Sequence, residues 1–386
     1  MKKLKIYSSL FGIILAHYLW VTFIQNVLYP IHFAPHNLFI LDLIGKEVNI
    51  PGAILFLLDA GNIILLWLIS SRIFANRFSL IPSIIYAISP WSSYLVAAGS
   101  FYIYLSFLLL LALYGLVLIK FKCKFWGIIV ATGSIAVALY SSLFLSILVP
   151  FVFIIIAIFG VIPFNRIKKT GIFLIILMLP LLFCIYSNRP GFNNIFKSEI
   201  TIFSDPGLLN TVNSYQGAAK QENLGKLAKV SENKYVFFTE FVLLKYIKQL
   251  VPSTYFTSQE KLLNFSFSPP IYLGFLIPFL YGLYLILKSP NLRKILFLSI
   301  VLVVPSILSK RAVDLNRQIL FAPVIIFVIS FGFIKLYEQK KKTYLLLILS
   351  LSLVILQFLV TSSDLQLREK DRYLKYYGRS YEIGRQ

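Results

Sequence analysis

Acidic residues are scarce in this chain of 386 residues: 15 Asp and Glu stand against 37 Lys and Arg, for a formal net charge of +22. Charged residues of both signs reach only 13%, about half the ~25% usual in soluble domains. That is too few to solvate the surface of a globular protein of this length. Cysteine is nearly absent. Cys123 stands in a basic loop and Cys184 in an apolar run, which excludes a disulfide framework. The three histidines, His17, His32 and His36, form no cluster with Cys at metal-ligand spacing, so no metal site is read from the residues. A phosphate-cradling glycine loop, a nucleophile elbow and a metalloprotease helix motif are all missing. Strict apolar-polar alternation is missing too, which excludes a membrane β-barrel.

What the chain has instead is apolar length. It is 58% hydrophobic with a mean hydropathy of +0.81, and runs of about 20 apolar residues, the length that crosses a bilayer, recur from end to end. The expected fold is all-α: a polytopic transmembrane helical bundle of about 11 spanning helices, at 7–29, 53–71, 78–96, 101–119, 125–141, 143–160, 170–186, 270–288, 294–309, 318–336 and 343–361. The first run follows Met1-Lys2-Lys3-Leu4-Lys5 like a signal peptide, but no small-residue cleavage site follows, so it reads as a retained helix. Pro82 and Ser89-Pro90 interrupt the third run.

Lys and Arg set the orientation. With the N-terminus inside, every short loop assigned to the inner side carries two to four basic residues, the pattern expected for cytoplasmic loops. The high net charge is therefore read as a topology signal and not as an affinity for nucleic acid. Four regions follow: a membrane bundle over 1–186, an outward loop region over 187–268, a second bundle over 269–361, and a charged outward tail over 362–386. Within the loop region, 233–250 is apolar yet carries Lys234, Glu240, Lys245 and Lys248. Charges at the bilayer centre are costly, so it is expected to lie as an amphipathic helix in the outer interface, with Phe237, Phe241 and Leu244 turned to the membrane.

Candidate functional residues are few. Asp59 lies near the middle of the second span, with Asn62 three positions on along the same helical face. An intramembrane carboxylate serves either as a functional group or as a hydrogen-bonded strut to a neighbouring helix. The first outer loop, Pro30 to Gly52, offers Asp42 and Glu47, either a general base or ordinary solvated residues. Lys310, Arg311 and Arg317 oppose the positive-inside trend. Their natural partner is a phosphate, the alternatives being lipid headgroups or Asp314. Ser89-Pro90-Trp91 with Tyr94 reads as a helix end with interfacial aromatic anchors.

Taken in order, these features resemble a known family. The stretch from Trp67 to Ile119 contains Ser70-Ser71-Arg72 and Asn76-Arg77, then an apolar helix closing on Ser89-Pro90-Trp91, an aromatic turn and another apolar helix. It is similar to the core of the GT-C superfamily of polytopic membrane glycosyltransferases, in the protein mannosyltransferase-like and RgtA/B/C/D-like branch. Ile202 to Leu208 in the large loop, and Lys310-Arg311 and Arg317 ahead of a helix containing Pro323, resemble the same branch.

The resemblance implies sugar transfer from a polyprenyl-phosphate donor to a glycan, lipid or protein acceptor at the outer face of the cell membrane. It assigns the lipid phosphate to Arg317, helped by Arg311 and Lys310. It assigns the base to an acidic residue of the first outer loop. The family's early acidic motif is replaced here by Tyr29 to His36, which contains no carboxylate, so the role falls to Asp42 or Glu47. The same departure keeps a second reading open, a GT-C-like protein that binds lipid-linked glycan without turnover, and Asp59 keeps open a third, a transporter of lipid-linked sugar. The expected partners are the lipid-linked donor, the acceptor and membrane lipids. No cofactor is implied beyond a divalent metal, which the residues leave open.

Overall fold

The computed structural model describes residues 2–28, 52–74, 76–97, 99–121, 124–142, 234–257, 269–309, 315–339 and 343–364, with isolated positions between 172 and 217. Among these residues the chain is helical and contains no strand. The helices are α1 (Lys2–Leu28), α2 (Gly52–Ile73), α3 (Ile81–Ile88), α4 (Pro90–Ala97), α5 (Tyr102–Phe121), α6 (Lys124–Ser141), α7 (Lys234–Leu250), α8 (Ser253–Phe256), α9 (Leu276–Lys288), α10 (Pro290–Ser299), α11 (Val304–Ile307), α12 (Leu315–Gln318), α13 (Ala322–Glu338) and α14 (Tyr344–Asp364). Short 3₁₀ turns link α10 to α11 and α12 to α13, where backbone hydrogen bonds tighten by one residue.

Among the described residues, six stretches are long and apolar enough to cross a membrane: Ile6–Ile24, Ala53–Ile73, Tyr102–Ile119, Pro290–Ile307, Ile319–Glu338 and Tyr344–Ser363. Phe125–Ser141 and Leu273–Lys288 are apolar but shorter. The chain is a multi-pass helical membrane protein. Two of the eleven expected spans, 143–160 and 170–186, lie outside the described residues. The third expected span is corrected: 78–96 is not one helix but two eight-residue helices, α3 and α4, meeting at Ser89. Pro90 has no N–H to continue α3's hydrogen bonding, so the break is dictated locally.

Helix α4 ends in a Schellman cap. The Gly99 amide donates to the Val96 carbonyl at 3.0 Å and the Ser100 amide to the Leu95 carbonyl at 2.8 Å. The φ of +72° at Gly99 is one that only glycine adopts freely. The chain thus reverses sharply into α5.

Glycines also set the helix spacing, though Gly61, Gly99 and Gly115 form no small-xxx-small series. Helices α9 and α13 meet glycine to glycine. A Cβ at Gly332 would overlap the Pro278 carbonyl oxygen, and one at Gly282 the Val328 carbonyl oxygen. In the α5–α6 hairpin, a Cβ at Gly115 would lie 2.5 Å from the Ala131 nitrogen. Between lipid-facing helices, where water offers no hydrophobic drive, such close backbone packing is the main source of attraction. The core these contacts enclose gathers Ile24, Ile63, Leu66, Trp91, Leu95, Ile319 and Ile329, while the apolar outer faces of α1 and α14 remain exposed, as lipid-facing surface does.

Candidate functional site

Two buried polar clusters stand out against this apolar background, and the break at Ser89-Pro90 organises both. In an unbroken helix the Ala87 carbonyl would accept from the Trp91 amide. Here that amide donates instead to the Pro270 carbonyl at 3.1 Å. The freed Ala87 oxygen accepts from His17 Nδ1 at 2.7 Å. The Tyr86 carbonyl, which Pro90 cannot serve, accepts from the Ser89 amide at 3.1 Å and from Ser92 Oγ at 2.9 Å. Helix α1 is thereby pinned to the broken end of α3.

On its other side the His17 ring meets Asp59 of α2, with Nε2 to Oδ2 at 2.6 Å. The Tyr86 hydroxyl donates to Asp59 Oδ1 at 2.6 Å and accepts from Asn62 Nδ2 at 3.1 Å. His17, Asp59, Asn62 and Tyr86 are all essentially inaccessible to solvent. The proton count follows from the partners. A carbonyl only accepts, so Nδ1 carries a hydrogen. A single proton then lies between Nε2 and Oδ2, and the pair is neutral overall whether written as imidazolium–carboxylate or imidazole–carboxylic acid. Burial far from water demands such neutrality, because an isolated ion there would be very costly. Asn62 Oδ1 alone in this quartet has no partner among the described residues.

The second cluster joins α7, α8 and α12. Helix α7 packs against α11 and the turn before it, and the face it turns inward carries Lys245, 5% exposed, and Gln249, fully buried. Lys245 Nζ donates to the Ser309 carbonyl at 2.5 Å, and lies 5.1 Å from the centre of the Phe241 ring. The Gln249 carbonyl accepts from the Tyr255 hydroxyl at 2.6 Å and from Gln318 Nε2 at 3.1 Å. Gln318 Nε2 also donates to the Tyr255 oxygen at 2.5 Å. Burial pushes the Tyr255 phenol well up, against the opposing hydrogen bond from Gln318, so it stays a protonated donor. The Trp91 indole N–H reaches the Leu315 carbonyl at 2.9 Å, fixing α12 to the head of α4. Gln249 Nε2, Gln249 Oε1 and Gln318 Oε1 have no hydrogen-bond partner among the described residues.

Several expectations meet the structure here. Asp59 and Asn62 share one site as their spacing suggested, and Asp59 is tied to two neighbouring helices. Arg317, on α12, is half-buried beside this second cluster. Asp42, Glu47, Lys310 and Arg311 lie outside the described residues, as do Cys123, Cys184 and the stretch around Ser204. Trp91 and Tyr94 do not act as interfacial anchors: they are 1% and 4% exposed, because partners distant in sequence enclose them. On α7, Leu244 is exposed together with Val236, Leu243 and Ile247, and Phe241 is partly buried. The residues facing the protein are the polar Lys245 and Gln249, one helical turn apart. His17 went unsingled although it stands mid-run like Asp59, and an ionisable residue within a span is the signal that would have found it. Among the described residues no group of three or more His, Cys, Asp or Glu is placed to hold a metal.

Fold and clusters together describe a multi-pass helical membrane protein with polar chemistry buried at the α3–α4 break. No protein-family model matches the sequence, and no curated protein matches it. Among solved structures it is similar to the oligosaccharyltransferase of Archaeoglobus fulgidus in complex with zinc and sulfate, at 13% identity and a TM-score of 0.46, over 81% of this chain and 41% of that one. It is similar also to the archaeal oligosaccharyltransferase AglB from Archaeoglobus fulgidus in complex with an inhibitory peptide and a dolichol-phosphate, at 13% identity and a TM-score of 0.44, over 92% of this chain and 51% of that one. The chain thus spans about half the length of these proteins or less, and a likeness at this level assigns no activity.

Proposed function

We propose that the chain is a membrane glycosyltransferase that moves a sugar from a polyprenyl-phosphate donor to an acceptor hydroxyl at the outer face of the cell membrane. In this reading the N-terminus is cytoplasmic, and the 187–268 loop and the C-terminus lie outside. The order of sequence motifs supports it, and one structural observation carries it. Lys245 of α7 donates to the Ser309 carbonyl, and Arg317 is half-buried on α12, whose Gln318 bonds to the Gln249 carbonyl one turn beyond Lys245. Basic side chains on two such neighbouring helices suit a phosphate that arrives on a lipid, and a guanidinium binds phosphate in two-pronged fashion.

The chemistry would run as an inverting displacement. The acceptor oxygen attacks the anomeric carbon, the bond from that carbon to the phosphate oxygen breaks, and the electron pair leaves with polyprenyl phosphate. The acceptor proton passes to the carboxylate of Asp42 or Glu47. Arg317, with Arg311 and Lys310, stabilises the charge growing on the leaving phosphate, the kind of electrostatic assistance that commonly supplies the largest share of acceleration.

The test is transfer from radiolabelled polyprenyl-phosphate sugars in membranes containing the full chain. Arg317→Ala should lower kcat/KM by about 10²–10³, the usual cost of losing one stabilising donor. Asp42→Asn or Glu47→Gln should abolish turnover while donor binding survives. If both single variants and the double variant match wild type, neither carboxylate is the base. Donor binding without transfer across hexose and pentose donors would replace this reading with that of a binding protein.

A further inference from the structure

Gln249 and Gln318 are the most conspicuous unfinished polar groups in the described structure. Both side chains are fully buried, and three of their four carboxamide atoms lack a hydrogen-bond partner among the described residues. Most buried polar side-chain atoms in folded proteins are paired, and an unpaired one is destabilising. A methionine or leucine would fill the same volume at Gln249 with no such penalty. Folding alone therefore does not account for the carboxamide.

Its surroundings indicate what. Gln249 lies one turn from the cation Lys245 on the inward face of α7, and Gln318 follows Arg317 directly on α12. Trp91 and Tyr255 stand alongside, their ring centres 5.6 Å apart. Tyr255 bridges α7 and α12 through the Gln249 backbone carbonyl and Gln318 Nε2, alongside the direct bond between these two groups. One carboxamide that offers donors and an acceptor and a second that offers an acceptor, set beside basic residues and aromatic rings, match a group bearing several hydroxyls next to a phosphate. Resting on the transferase reading above, we infer that Gln249 and Gln318 form the subsite that recognises the glycosyl group of the lipid-phosphate donor. Gln249 contributes Nε2 and Oε1, and Gln318 contributes Oε1. Recognition through buried polar groups discriminates strongly, because a ligand lacking the hydroxyls leaves those groups unpaired.

The experiment compares binding of bare decaprenyl phosphate with decaprenyl-phosphate mannose, glucose and arabinose to the full chain in lipid nanodiscs, alongside its thermal unfolding. Wild type should bind at least one glycosylated lipid about tenfold tighter than the bare lipid, the yield of two or three net hydrogen bonds. Gln249→Met should unfold at a temperature equal to or above that of wild type, yet bind glycosylated and bare lipid alike. Gln249→Asn, which keeps the amide but withdraws it, should fold and retain partial discrimination. Equal binding of all lipids by wild type, or discrimination unchanged in Gln249→Met, would overturn the inference and leave ordered water only as the occupant. So would a Gln249→Met variant that loses stability with binding intact. Discrimination without any transfer would leave the subsite standing and remove the transferase reading. Transfer with unaltered donor preference in Gln249→Met would do the reverse.

Discussion

His17, Asp59, Tyr86 and Asn62 satisfy one another almost completely, whereas Gln249 and Gln318, no less buried, leave three carboxamide atoms without partners among the described residues. Both clusters depend on the same helix break, yet they do opposite things with it. The first uses the freed Ala87 carbonyl to close a ring of hydrogen bonds across α1, α2 and α3. The second uses the displaced Trp91 to position α12 and stops short of closure. A closed polar network fixes one packing of its helices, because any other would orphan several of its groups at once. An open one retains the capacity to bind. We read the intramembrane carboxylate flagged by the sequence as a strut: Oδ2 meets His17 Nε2 and Oδ1 accepts from Tyr86, on two neighbouring helices.

The sharpest way to break the comparison is to open the closed cluster. Asp59→Ala strips partners from the His17 Nε2, the Tyr86 hydroxyl and one donor of Asn62, and should cost about 3–5 kcal/mol, as expected for breaking a buried pair. Thermal unfolding in detergent or nanodiscs reads the loss. The paired change His17→Leu with Asp59→Leu should cost clearly less than Asp59→Ala, since an apolar pair replaces a polar one without an orphaned ion. A double variant as unstable as the single one would mean that the quartet is more than a strut, and would reopen the transporter reading, for which Asp59→Asn should then abolish flux in proteoliposomes.

A smaller effect is expected from Tyr86→Phe. The ring and its packing stay, while the 2.6 Å hydrogen bond to Asp59 is lost and Asn62 Nδ2 gives up an acceptor. Hydrogen bonds to charged groups are worth about 1.5–3 kcal/mol, and unfolding should register a loss in that range. A loss near zero would show the quartet to be looser than its distances imply.

How much of this was legible beforehand depends on the range of the interaction that decides each feature. Helices α1, α2, α5, α6, α13 and α14 fall within a few residues of their expected positions, because about 20 apolar residues between charged or turn-forming flanks leave the backbone no cheaper way to satisfy its hydrogen bonds in lipid. The interruption at Ser89-Pro90 was legible for an equally local reason. Its consequence was not. Trp91 reads as an interfacial anchor until Pro270 and Leu315 supply its partners, and Leu315 is 224 positions away. Asp59 was visible as a carboxylate in the wrong solvent, but which group would neutralise it depended on how α1 packs, and so His17 was passed over. The face that α7 turns to the protein was not legible for a related reason. Lys245 reads as one charge among four on this helix, and that its Nζ reaches the Ser309 carbonyl, 64 positions away, depends on how α7 packs against α11.

Trp91→Phe gives the smallest expected effect and the finest test of the contrast. Phenylalanine keeps an aromatic ring near Tyr255 but loses the N–H that holds the Leu315 carbonyl at 2.9 Å. One neutral hydrogen bond contributes about 1 kcal/mol, so unfolding should shift only slightly. Because Leu315 begins the helix that carries Arg317 and Gln318, transfer should fall by more than the stability change accounts for, with the loss in kcat rather than in KM if the leaving phosphate is held less well in the transition state. Equal and small losses in both readouts would make Trp91 a packing residue alone. A stability loss approaching that of Asp59→Ala would mean that the second cluster is as tightly closed as the first, and the distinction between a strut and a binding site would fail at its most direct point of contact.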